Sequence, residues 1–227
     1  MKQKLTILFD LDCTLVDTAP DLMMAHNHVM KKFGYPTKST EDIRNLVGKG
    51  AGALIGRSIW GQAKKEFSKV LDEKIKDEMV KEFVSFYGKN IVNESTLVTG
   101  VKEFLIWCKE QNISMAVCTN KQEHLSNDLL KKIGIYDFFE YVAGSDTFDY
   151  CKPDPRHLTN VVEILDGDVK KTIMIGDSET DSNAAKAAEI PVILLENGYT
   201  EKNTTEIYHN HLIKDYIGIE KIIKKYL

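Results

Sequence analysis

Four short apolar runs, at residues 5–9, 113–118, 172–175 and 191–195, constrain this chain more than any other feature of its sequence. Each is of strand length, and none alternates polar with apolar residues, the pattern of strands buried on both faces of a parallel sheet. Helix-period patterns fall between them. Residues 101–111 precede the second run, 125–133 follow it and stop at Gly134, and 181–189 follow the third. Strands alternating with helices predict βαβ units and an α/β fold with a doubly wound parallel sheet.

The stretch 17–95 has a different texture. Leu22, Met23, His26, Val29, Met30 and Phe33 recur at helical spacing, with Pro20 near the start and Gly34 after the end. Ile75, Met79, Val80, Phe83 and Tyr87 repeat the pattern further on, and a glycine-rich patch containing Gly48, Gly50 and Gly52 lies between. No strand pattern is visible here. The expectation is therefore a core made of 1–16 and 96–227, interrupted by an all-helical cap over 17–95.

Chain-wide properties serve mainly to exclude. A hydrophobic fraction of 43% and a charged fraction of 28% over 227 residues are those of an ordinary globular protein. A formal net charge of -4 offers no basic face for nucleic acid. The first apolar run is too short for a signal-peptide core, and no window approaches a membrane span. Cys13, Cys108, Cys118 and Cys151 are scattered without metal-binding spacing and read as reduced thiols. The expectation is a cytoplasmic protein, a monomer or weak dimer, with neither membrane nor nucleic acid as partner.

In open α/β sheets ligands bind beyond the carboxyl ends of the strands. The first run here ends in Asp10-Leu11-Asp12-Cys13-Thr14, the second in Thr119-Asn120-Lys121, and the third in Gly176-Asp177 followed by Asp181. Lys152 lies in a loop stiffened by Pro153 and Pro155. Asp10, Asp12, Thr119 and Asp177 should thus surround one crevice. Converging carboxylates repel unless a hard cation neutralises them, and magnesium suits an all-oxygen site that includes a substrate phosphate. A carboxylate can also attack phosphorus, splitting one hard displacement into two easier ones. Thr119 and Lys152 are the groups to meet charge on the transferring oxygens.

These four motifs, in this order, resemble those of the haloacid dehalogenase superfamily: DxDxT at Asp10–Thr14, then Thr119, Lys152-Pro153, and Gly176-Asp177 with Asp181. The resemblance implies a HAD-like Rossmannoid core and a catalytic pair, Asp10 as nucleophile and Asp12 as general acid and base. It implies Mg2+ held by Asp10, Asp177 and the main-chain carbonyl of Asp12, with Asp181 orienting bound water. Thr119, Asn120 and Lys152 would hold the phosphate. Asp181 alone would also be explained as a charge favouring a helix N-terminus.

A narrower resemblance, to phosphoglycolate phosphatases, rests on Asp10–Thr18, on Leu46–Gly50 followed by Arg57, and on Gly144–Phe148 leading to Lys152-Pro153. It points to a small phosphorylated metabolite, with Gly48, Lys49, Gly50 and Arg57 as cap contacts to a substrate carboxylate. The same glycines are equally explained as a helix boundary. Hydrolysis of pyrophosphate, nucleotides or sugar phosphates and a β-phosphoglucomutase-like reaction are alternatives on the same core. A 2-haloacid dehalogenase would need neither Asp12 nor Asp177. Outside enzymes, a phospho-receiver would share the carboxylates but not the cap-sized insert, and a binding module would not need the full set of chemical groups present here.

Overall fold

The computed structural model describes residues 4–44, 46, 48, 50–63, 73–196, 198, 200 and 203–227. In chain order the elements are β1 (Thr6–Phe9), β2 (Val16–Asp17), α1 (Ala19–Lys32), α2 (Thr40–Arg44), α3 (Ala51–Ala63), α4 (Glu73–Lys89), β3 (Thr96–Leu97), α5 (Val101–Glu110) and β4 (Ser114–Cys118). There follow α6 (Glu123–Lys132), β5 (Tyr141–Ala143), α7 (Arg156–Ile164), β6 (Thr172–Gly176), α8 (Glu179–Ala187), β7 (Val192–Leu195), β8 (His211–Ile213) and α9 (Glu220–Ile223).

The four apolar runs are β1, β4, β6 and β7. They form the middle of a six-stranded sheet in the order β5-β4-β1-β6-β7-β8, with every pair parallel. The edge strands β5 and β8 were not visible in the sequence. Each has three residues, too few for a period to emerge, and one neighbour each to pair with.

The pleat explains why the central runs lack alternation. Ile7 and Phe9 pack on one side with Phe104 and Leu105 of α5 and Leu129 of α6. Leu8 points to the other, among Leu158 and Val161 of α7 and Ala184 and Ala185 of α8. Both faces are covered, so apolar residues are required at every position.

Between β1 and the rest of the sheet come α1 to α4. Helix α4 packs against both α1 and α3, and Met30, Met79, Phe83 and Tyr87 are buried in that packing. The chain enters and leaves these helices through an antiparallel pair, β2 on β3, with Val16 opposite Leu97 and Asp17 opposite Thr96. Asp17, grouped with the insert in the sequence reading, is therefore half of a two-residue strand.

Asp21, at the start of α1 and 1% exposed, ties entry to exit. Its carboxylate accepts the amides of Asn93, Glu94 and Ser95 at 3.1, 3.1 and 2.9 Å, and the Ser95 hydroxyl at 2.6 Å. Among the described residues no helix is long and apolar enough to cross a membrane.

Candidate active site

Strand register decides which residues meet. Phe9 lies opposite Val117 of β4 and Ile175 of β6, so Asp10, Thr119 and Asp177 emerge together at the carboxyl edge of the sheet. The chain fills one side of β1 with β4 and β5 and the other with β6, β7 and β8. A sheet that changes direction at a strand opens a crevice there, and Asp10 stands at it.

Asp10 is 7% exposed, and the Lys152 ammonium lies 2.9 Å from its Oδ1. Burial pushes the Asp10 carboxyl up to about 6, against the pull of Lys152. The same ammonium is 2.5 Å from Oδ1 of Asp181. Burial alone would lower the pKa of Lys152, but Asp10 and Asp181 outweigh it and hold the lysine charged.

Asp181 uses its other oxygen, Oδ2, to accept the amides of Asp177 and Ser178 at 3.2 and 3.1 Å and the Ser178 hydroxyl at 2.7 Å. One carboxylate thus shapes the start of α8 and orients Lys152. Gly176 makes room for it, because a Cβ there would lie 2.5 Å from Asp181 Cβ and Cγ. Asp10, Asp177 and Asp181 each offer an oxygen within 4.8 Å of the others, and all three are buried. Three buried carboxylates with one ammonium between two of them leave negative charge that a divalent, oxygen-seeking cation would neutralise.

Asp12 belongs to a second cluster. Its Oδ1 accepts the Thr18 hydroxyl at 2.6 Å and the Lys121 ammonium at 2.6 Å. Lys121 also donates to the Tyr87 hydroxyl at 3.0 Å, and its ammonium sits 4.6 Å from the centre of that ring. Burial holds the Tyr87 phenol neutral, pushing its pKa up to about 12.

Sequence reasoning missed both Lys121 and Tyr87. Lys121 directly follows the Thr119-Asn120 pair, and its nearness to a phosphate motif was the signal available. Tyr87 was legible as a core position of α4, but nothing local indicated where its hydroxyl points.

A cavity of about 280 Å³ lies over these groups, between the strand ends and the helices of 19–89. Asp10, Asp12, Thr119, Asn120 and Lys121 form its polar end, while Leu22, Leu54, Phe83 and Leu125 line the apolar remainder. Gly48 and Gly50 also line it. Gly50, at φ +82°, brings its backbone so close to the Asn120 carbonyl that a Cβ would sit 3.2 Å away.

The Asn120 side-chain amide donates to the carbonyls of Lys152 at 2.9 Å and Gly48 at 3.3 Å. Its donors therefore clamp the glycine patch to the Lys152 loop. Arg57 donates to the Leu46 carbonyl at 3.4 Å and is not among the described residues lining the cavity. Lys49, the remaining expected cap contact, lies outside the described residues.

The haloacid dehalogenase-like hydrolase family model matches residues 7–195. The chain belongs to the haloacid dehalogenase-like hydrolases. Within the family it is similar to the phosphoglycolate phosphatase of Mesorhizobium japonicum, 37% identical over 210 residues that cover 92% of this chain and 90% of that one. The phosphoglycolate phosphatase of Caulobacter vibrioides is 37% identical over 216 residues, covering 95% and 89%. Among solved structures, a predicted phosphoglycolate phosphatase from Haemophilus somnus superposes with a TM-score of 0.91 at 30% identity, covering 98% and 99%. The chain is thus an enzyme of this hydrolase family whose relatives, matched nearly end to end, are phosphatases.

Proposed function

We propose that this phosphatase is a magnesium-dependent phosphomonoesterase acting through an aspartyl-phosphate, with 2-phosphoglycolate as its preferred substrate. In this reading residues 1–16 and 96–227 are the catalytic core and 17–95 the cap. The observation that carries it is the buried trio Asp10, Asp177 and Asp181 with Lys152 bridging two of its members, of which Asp10 reaches the cavity beside the inserted helices. End-to-end similarity to phosphoglycolate phosphatases supports the substrate.

Asp10 attacks phosphorus while the bond to the ester oxygen breaks, and Asp12 gives that oxygen a proton. Asp12 then takes a proton from water, which attacks the aspartyl-phosphate at phosphorus. The bond to Asp10 breaks, releasing inorganic phosphate and the free carboxylate. Lys152 and the Thr119 hydroxyl meet the phosphoryl oxygens. Because the Asn120 side chain is engaged with backbone carbonyls, its contribution is the backbone amide beside Thr119. Asp10, Asp177 and the Asp12 carbonyl are the groups to hold Mg2+, with Asp181 beside them. The cation would supply charge neutralisation that lets a carboxylate approach a phosphate dianion.

The apolar wall of the cavity favours a second reading, phosphomonoesters of small apolar alcohols, over polar hexose phosphates. One experiment separates them: phosphate release across 2-phosphoglycolate, pyrophosphate, nucleoside monophosphates, hexose phosphates and short alkyl phosphates, with magnesium and with excess chelator. Highest kcat/KM on 2-phosphoglycolate, lost in chelator and restored by magnesium, is expected. Full activity in chelator would overturn the metal assignment, and preference for another ester would replace the substrate.

A further inference from the structure

We infer that Lys121 is a positioning residue which, held by Tyr87 of α4, aims Asp12 at the leaving group. Thr18 and Lys121 both bind Oδ1 of Asp12, and among the described residues Oδ2 has no hydrogen-bond partner. A carboxyl held through one oxygen keeps the other available for proton transfer, and Asp12 lines the cavity.

The lysine itself is fixed at both ends. Its amide donates to Thr119 Oγ1 at 3.2 Å, and its carbonyl accepts the Ser145 amide at 2.9 Å. Its side chain is 5% exposed, so the ammonium has little solvent to turn towards. Burial opposes the charge on Lys121, but Asp12 and Tyr87 keep its pKa raised.

Tyr87 gives this cluster its second function. The phenol is 1% exposed, stands on the last turns of α4, and offers Lys121 both an acceptor oxygen and a ring face. The three-residue chain Asp12–Lys121–Tyr87 therefore spans from β1, through the loop after β4, to the inserted helices. The aim of Asp12 thus depends, through Lys121, on a side chain of the inserted helices.

The inference rests on the reading of Asp12 as proton donor, and leaving groups test both. An alkyl phosphate needs its departing oxygen protonated, whereas the nitrophenolate of 4-nitrophenyl phosphate departs with little help. kcat/KM, which reports loss of the alcohol and not the later hydrolysis common to both esters, would be measured for 2-phosphoglycolate and 4-nitrophenyl phosphate in Asp12→Asn, Lys121→Met, Lys121→Arg and Tyr87→Phe, each checked for fold by circular dichroism.

Lys121→Met should lose about a hundred-fold on the alkyl ester and no more than a few-fold on the aryl ester. Lys121→Arg should recover part of the alkyl activity, and Tyr87→Phe should show the same asymmetry at several-fold. Equal losses on the two esters in Lys121→Met, beside an asymmetric Asp12→Asn, would overturn the positioning role alone. A symmetric Asp12→Asn would overturn the proton-donor reading and this inference with it.

Discussion

Two lysines neutralise the two carboxylates of the first strand end, and they are anchored in opposite ways. Lys152 stands between Asp10 and Asp181, the first two in loops at the carboxyl edge of the sheet and Asp181 in the first turn of α8. Its side chain and that of Asp181 are each 1% exposed. Lys121 stands between Asp12 and Tyr87, and Tyr87 comes from the inserted helices. The Asp12 side chain keeps 14% exposure. The first cluster is finished once the sheet has formed. The second is complete only when the helices dock. In the proposed mechanism, the phosphoryl site thus rests on strand ends and the start of α8, and the proton donor is tied to the inserted helices beside the cavity.

The largest effect should come from the sheet-only cluster. Asp10→Asn keeps the size of the side chain but removes the proposed nucleophile, so phosphate release should fall by more than about a thousand-fold while circular dichroism shows an intact fold. Near-normal turnover would break the comparison at its root.

Next, Lys152→Met leaves Asp10 and Asp181 buried without their ammonium and should cost about 3–5 kcal/mol in urea unfolding. Lys121→Met should cost less, because the carboxylate it abandons is partly exposed. Equal costs would mean that the two clusters are not distinguished by burial.

The smallest effect sharpens the hinge side of the comparison. Asp21→Asn replaces a charged acceptor of three amides and a hydroxyl with a neutral one. It should destabilise by about 1–3 kcal/mol while leaving the aryl-to-alkyl activity ratio unchanged. A shifted ratio would show that the clasp between 21 and 93–95, and not the Tyr87 contact, governs how Asp12 is aimed.

The convergence of the carboxylates in the first cluster was legible because each part is local. A strand run and the polar residues that end it are neighbours in sequence, so reading one predicts the other, and parallel pairing brings such ends together whatever the intervening chain does. Asp10 and Asp177 were placed together that way, with Asp181 close behind, whereas Lys152 was singled out by its proline-flanked loop and the family resemblance, and its bond to Asp181 was not foreseen. The glycine patch was legible as a site of close backbone approach. Gly48 and Gly50 do line the cavity, yet Gly50 meets the Asn120 backbone, and Arg57 supports the Leu46 carbonyl.

By itself, then, the sequence determined a doubly wound sheet, a helical insertion after its first strand and a ring of carboxylates at one edge. Each of these is written in short-range periodicity and strand-end composition. Tertiary structure alone decided the edge strands β5 and β8, the pairing of β2 with β3, the grip of Asp21 and the Asp12–Lys121–Tyr87 chain. The physical reason is separation. Lys121 meets Asp12 across 109 positions and Tyr87 across 34, and Asp21 meets Ser95 across 74. A side chain's partner at such distances is set by how helices dock and strands register, which no local pattern encodes.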